Sequence, residues 1–402
     1  MLNLFNFNNS SKKEEKKSIR RVTSANKPLD KKNQRNHPPS EKKTHNLQTS
    51  EKKHLSINDG GEKNSERKIR SKKEDFTEAK NKCSSARQEQ MDKGTESLFN
   101  LFIDNLQPKT LNDLKIVYAG IKSHVFSEHT RIAFDNNMPL NKYKDIVCID
   151  ETRVILEPPG TNYYHANFVT QPGMKHNFIC CQAPMNETIA DFWRLCIQQN
   201  VSIIICLVNL IENGKQKCSQ YWPTNEGETI KFKCFNVQYE STDYCDDAFF
   251  IRNLKVWTDG DGVAAVKIRQ FQWKDWPDKC VPSDTTSIMR LIKRLKDIKK
   301  EETIVVHCSA GIGRTGTLVA AYILFSRISS KTDINIYDTV INIRRQRAGA
   351  VQTEIQYIYL HKVIIDYCLI INALNAPRMA IAIKFVEEYN AYYESLLHGG
   401  LQ

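Results

Sequence analysis

The sequence contains no run of about 18 consecutive apolar residues, the length a bilayer core demands of a spanning helix, so no transmembrane segment is expected. Its richest apolar run, VSIIICLVNLI from Val201, is too short to span and reads as a buried strand. The opening MLNLFNFNNSSKKEEKK lacks both the basic start and the apolar stretch of a secretory signal. Twelve cysteines are present without paired spacing, apart from the adjacent Cys180 and Cys181. In the absence of a signal they are expected to be reduced thiols of an intracellular, cytoplasmic protein. Cys/His spacing of the zinc-binding kind is missing, so neither a metal nor another cofactor is expected. Internal repeats are missing too.

Aromatic and β-branched residues are scarce near the N-terminus. Residues 1–90 hold 23 Lys+Arg and 12 Asp+Glu, a surplus of 11 in a chain whose total is +12, so residues 91–402 are close to neutral. A segment of this kind cannot bury enough apolar surface to offset its chain entropy, and residues 1–93 are expected to form a disordered Lys-rich tail. Such a tail either solvates the protein or contacts an acidic partner, nucleic acid or an anionic membrane.

What remains carries regular patterns. From Ser97 the apolar spacing is helical, with a break at Pro108. From Lys144 to Val281 it changes to short β-rich runs: IVCIDETRVIL, YYHANFV, NFICCQA, VSIIICLV, IKFKCFNVQY, FFIRNLKVW and AAVKIRQFQW. ETIADFWRLCIQQN interrupts them as a helix, SIMRLIKRLKDIKK is an amphipathic basic helix, and helices follow TIVVHC to the end. The pattern predicts an α/β fold, a twisted mixed sheet flanked by helices, in one domain over residues 94–372, with a helical extension over residues 373–402.

The stretch TIVVHCSAGIGRTGTLVAAYIL reads as strand, loop, helix. Successive N–H groups of a Gly-rich turn can point inward and cradle an oxyanion, and the positive end of a helix starting near Arg314 adds to that field. Ser309, Ala310, Gly311, Ile312 and Gly313 would form the cradle, and Arg314 would offer a planar fork to phosphate. Cys308 beneath them would sit in a positive field that favours its thiolate, a nucleophile for phosphoryl transfer.

This loop resembles the signature of the cysteine-dependent protein tyrosine phosphatases. The resemblance extends over residues 97–370: WPD at Trp276–Asp278, 30 residues before Cys308, is similar to the family's acid loop, NKYKD at Asn141–Asp145 to its phosphotyrosine-recognition loop, and RRQRAGAVQTEIQY to its glutamine loop. The recognition segment favours the tyrosine-specific branch. The resemblance implies hydrolysis of phosphotyrosyl proteins through a cysteinyl phosphate. Asp278 would then be the general acid, and Trp276 and Pro277 the hinge and packing elements of its loop. Tyr143 would stack on the substrate ring, and Asp145 would hold its backbone. Gln352 would position water with support from Gln356, and Thr315 would hydrogen-bond the sulfur. Glu212 matches an acid that anchors Arg314, and Lys217 a residue near the acid loop.

Two other functions remain open at this point: a phosphotyrosine-binding pseudophosphatase of weak activity, and an RNA 5′-phosphatase, which the basic tail would suit. The sequence departs from the family pattern at KCVP after the acid, where His-Gly is usual. It departs again at NYYHANFV, in place of Asp-Tyr-Ile-Asn-Ala-Asn-Phe-Ile, and at ICCQAP. Divergent segments around an intact core resemble the tyrosine phosphatases of polydnaviruses of parasitoid wasps, which would place the protein in a host cell's cytoplasm.

Overall fold

A computed structural model describes residues 91–243, 248–260 and 264–398. The tail expected over residues 1–93 lies, up to residue 90, outside the described residues.

Two helices come first, α1 (Lys93–Leu106) and α2 (Leu111–Ser123), separated at Pro108 as expected. Asp92 caps α1 by accepting from the Thr95 amide. Thr110 and Asp113 form a reciprocal capping box at the start of α2. A short helix, α3 (Ile132–Asn136), precedes β1 (Arg153–Ile155), β2 (Tyr163–Val169) and β3 (Asn177–Cys181). The β-rich run IVCIDETRVIL forms a strand only over Arg153–Ile155. Residues Asp150–Thr152 turn as a 3-10 helix because the Asp150 carboxylate accepts from the Ile132 and Ala133 amides, at 2.6 and 3.0 Å.

Helix α4 (Ile189–Gln198) is followed by β4 (Val201–Cys206), a small hairpin of β5 (Ile211–Glu212) and β6 (Lys215–Gln216), and then β7 (Thr229–Phe232), β8 (Phe235–Thr242), β9 (Phe249–Thr258) and β10 (Val266–Trp273). IKFKCFNVQY, a β-rich run in the sequence, is a hairpin. Lys233 takes a left-handed φ of 55° between β7 and β8, a turn without the Gly or Asn that usually announces one. The remaining elements are α5 (Thr286–Asp297), β11 (Thr303–His307), α6 (Gly313–Ser329), α7 (Ile336–Gln346), α8 (Glu354–Ile370) and α9 (Ala376–His398).

Among the described residues the main sheet has nine strands in the order β1-β2-β3-β11-β4-β10-β9-β8-β7. Strands β3, β11, β4 and β10 run parallel, and their neighbours are antiparallel. At the middle of the sheet, β11 is apolar, as a strand covered on both faces requires: Ile304, Val305 and Val306 are fully buried, whereas β10 exposes Lys267 and Arg269. Helix α4 packs on β2, β4 and β8, and α6 packs on β3 and β11 among α5, α7 and α8. The α/β class and the twisted mixed sheet are as the sequence predicts. Helix α9 lies against α8 and α1, where Arg378 forks onto Asp104 at 2.7 and 2.8 Å. Among the described residues no helix is long and apolar enough to cross a membrane.

This topology gathers the loops. The chain leaves β3, β11, β4 and β10 at their carboxyl ends, the edge of a parallel sheet where ligands are bound. Five distant stretches of sequence, within residues 143–146, 215–217, 278–279, 308–314 and at Gln352, meet around one pocket there.

Candidate active site

A pocket of about 390 Å³ opens at that edge, lined by Tyr143, Asp145, Lys217, Asp278, Cys308, Ser309, Ala310, Gly313, Arg314 and Gln352, among others. At its floor, the loop between β11 and α6 turns through Gly311, whose φ is +73°. A Cβ there would lie 1.9 Å from the Cys181 carbonyl oxygen, so no other residue fits this close approach to β3. The Gly311 N–H donates to Cys308 Sγ at 3.2 Å.

Burial alone would raise the Cys308 thiol. The Arg314 charge, the Thr315 hydroxyl and amide, and the Gly311 amide outweigh it and hold the thiol below its ordinary value. The contrast within the same core is sharp. In Cys180 and Cys206 burial outweighs the nearby charges and pushes the thiols up to about 12, and Cys181, Cys196 and Cys218 are also raised. The buried Thr315 Oγ1 finds no hydrogen-bond partner of ordinary geometry among the described residues, which leaves it available to the neighbouring sulfur.

Arg314 is only 2% exposed. Its fork is bidentate on Glu212, at 2.7 and 2.9 Å, and Glu212 is carried in by the β5–β6 hairpin. The same guanidinium donates to the Trp276 carbonyl at 2.9 Å and to Asp278 Oδ1 at 3.2 Å. These bonds hold the Trp276–Asp278 loop against the pocket. Trp276 anchors it, buried edge-to-face against Trp273 (4.9 Å between centroids) with Nε1 donating to the Cys280 carbonyl at 2.9 Å. Lys217 Nζ donates to Asp278 Oδ2 at 2.6 Å. Burial works against the charge on Asp278, but Lys217 and Arg314 together hold its carboxyl below the usual carboxylate range.

Tyr143 stands on the rim, its hydroxyl 2.9 Å from Ser309 Oγ, and Asp145 is exposed beside it. Gln182 fixes this loop from below by accepting from the Lys142 amide (2.9 Å) and donating to the Leu140 carbonyl (2.8 Å). Gln352 lines the pocket. Gln356, expected with the substrate-binding residues, does not line it. Its side chain is fully buried and caps α8, accepting from the amides of Gln352 and Thr353, and it donates to the Cys280 carbonyl of the acid loop at 3.2 Å. Ile312 is likewise buried, its carbonyl accepting from Gly316 and Val351 amides.

Arg347 has no counterpart among the residues singled out from sequence. It is fully buried and donates to the Gly311 carbonyl (3.0 Å) and the Ala310 carbonyl (2.9 Å). Holding those carbonyls outside turns the loop's amides inward. The lone signal in the sequence is an Arg inside the glutamine-loop run, and nothing local distinguishes it from Arg344 or Arg345. Among the described residues no His/Cys/Asp/Glu group could hold a metal ion.

The family model for the protein-tyrosine phosphatases matches residues 137–366, and the chain belongs to that family. It is 33% identical over 237 residues to receptor-type tyrosine-protein phosphatase F of Danio rerio, covering 57% of this chain and 12% of that protein. It is 35% identical over 253 residues to tyrosine-protein phosphatase 69D of Drosophila melanogaster, covering 60% and 17%. The chain thus spans a small part of these relatives' length. Among solved structures, the catalytic domain of human protein tyrosine phosphatase non-receptor type 18 superposes with a TM-score of 0.59 at 28% identity, covering 68% of this chain and 99% of that one. The Trypanosoma cruzi phosphatase TcPTP1 gives 0.58 at 26%, covering 64% and 92%.

Proposed function

We propose that the protein hydrolyses phosphotyrosine in proteins through a cysteinyl-phosphate intermediate. The observation that carries this reading is the lowered thiol of Cys308 at the floor of a pocket whose rim is Tyr143, with Arg314 and Asp278 converging between them. The Cys308 thiolate attacks phosphorus, the bond from phosphorus to the phenolic oxygen breaks, and Asp278 gives its proton to that oxygen. Water positioned by Gln352 then attacks the phosphorus, Asp278 takes the proton back, and the thiolate leaves with help from Thr315. Asp145 holds the backbone of the substrate. A solved structure of PTPN18 carries HER2 phosphopeptides, which supports a peptide on the rim here.

Asp278 must be protonated to act as an acid, yet Lys217 and Arg314 lower its pKa. A bound phosphoryl dianion resolves this. It engages the Arg314 fork and brings negative charge beside the carboxylate, and both effects raise the carboxyl's pKa. The acid is thus armed by the substrate that needs it.

The test compares p-nitrophenyl phosphate, a phosphotyrosyl peptide and a 5′-triphosphorylated RNA, each with and without EDTA and vanadate. Hydrolysis of the first two, blocked by vanadate and indifferent to EDTA, is expected. Turnover of the RNA alone would assign the pocket to a different substrate, and binding of the peptide without turnover would make the protein a binding module.

A further inference from the structure

Two loops of the pocket are joined through one imidazole. His165, on β2, stands where the usual family sequence has Asn. Its Nδ1 accepts from Arg347 Nη1 at 3.0 Å, and its Nε2 donates to the Ile146 carbonyl at 2.7 Å. The tautomer is fixed by these partners, because a carbonyl can only accept and a guanidinium can only donate. The ring is edge-on to Phe134 (5.8 Å, 76°) and 1% exposed. Arg347 completes its bonds on the Asn167 side chain (2.8 Å) and on the carbonyls of Gly311 and Ala310. Ile146 directly follows Asp145 and stands three residues after Tyr143.

We propose that His165 is a positioning residue that couples the phosphate cradle, through Arg347, to the tyrosine-recognition loop, through Ile146. The proposal rests on the phosphotyrosine reading of the pocket. Each ring nitrogen serves one loop, so the two functions can be separated. Burial and the Arg347 charge push the imidazole down to about 3, which keeps it neutral and keeps Nδ1 an acceptor. A protonated ring would oppose Arg347 with a second cation.

Side-chain amides mimic the two nitrogens separately. Asn places its oxygen near the Nδ1 position and is too short for Ile146, whereas Gln reaches the Nε2 position and gives up the Arg347 acceptor. The full chain, His165→Asn and His165→Gln are compared for vanadate affinity, which reads the cradle, and for the Kd of a phosphotyrosyl peptide, which reads cradle and rim together. His165→Asn is expected to bind vanadate within about twofold of wild type and the peptide roughly 3–10-fold more weakly, the worth of one hydrogen bond. His165→Gln is expected to lose vanadate and peptide affinity by the same factor. The same pattern in both variants, or a fall in thermal midpoint with both affinities unchanged, would overturn the coupling. Should one variant fail to fold, the other's predicted pattern decides alone. Wild type that binds vanadate and peptide without turning over would refute the catalytic reading, while the affinity split would still judge His165.

Discussion

The chemistry proposed for the pocket depends on a few charges whose partners are fixed. Asp278 is held by Lys217 and Arg314 on one side of the pocket and Cys308 lies under the other, so the two are expected to titrate in opposing senses during the reaction. The activity should fall at low pH as the thiolate protonates and at high pH as the acid in the substrate complex loses its proton, giving a bell. Asp278→Asn should abolish the alkaline limb and leave the acid limb in place. Asp278→Ala should lower kcat on a phosphotyrosyl peptide by ~10² or more, the range of a lost general acid. The loss should shrink on esters whose leaving group is already acidic, and KM should not rise, because the acid acts in the transition state. An equal loss across esters of graded leaving-group acidity would remove Asp278 from the acid role. Glu212 shapes the same balance by holding the Arg314 fork at 2.7 and 2.9 Å before substrate arrives.

Individual elements were legible in the sequence where the signal is contiguous. TIVVHC followed by a Gly-rich loop and TGTLVAAYILFSRI gives β11, the cradle and α6 in one reading, and WPD and NKYKD each sit in a single loop. What escaped is carried by long-range contacts. Arg347 reaches back 36 residues to the Gly311 carbonyl, and His165 reaches forward 182 residues to Arg347, distances over which no local pattern exists. The turn at Lys233 was hidden because it uses none of the usual turn residues, and the 3-10 turn at Asp150 because its carboxylate is engaged by amides 17 and 18 residues away. Gln356, read from the motif as a support for Gln352, accepts from the Gln352 amide at 2.9 Å, and its side chain also caps α8 and donates to the Cys280 carbonyl. Gln356→Ala should therefore cost about 1–2 kcal/mol of stability, the scale of a lost cap and a stranded carbonyl. Urea unfolding checks this, and an unchanged midpoint would show that the strut contributes nothing.

Among the described residues, four buried histidines, His165, His176, His307 and His361, have lowered pKa values, and the three with the large shifts tie stability to pH. His165 is lowered to about 3, and His307 and His361 to about 4, each chiefly by burial. In the unfolded chain these rings protonate near the ordinary value of 6.5. Below that pH the unfolded state binds more protons, so stability is complete above 6.5 and drains as pH falls toward the folded values. At pH 5 each ring is expected to cost on the order of 1–2 kcal/mol. The urea midpoint should therefore drop steadily from pH 7 to pH 5, a window in which ordinary carboxylates change little, and a flat profile would contradict the burial of these rings. His307 joins this stability to the site, since it sits immediately before Cys308 and is held by Tyr221 at 2.7 Å. The central claim, that Cys308 becomes a phosphocysteine during turnover, is tested most directly by acid-quenching the protein during hydrolysis of a phosphotyrosyl peptide and locating phosphate by mass spectrometry. The account predicts phosphate on Cys308 during turnover and none in Cys308→Ser. Steady hydrolysis with no phosphoryl group on Cys308, or with one on another side chain, would contradict it.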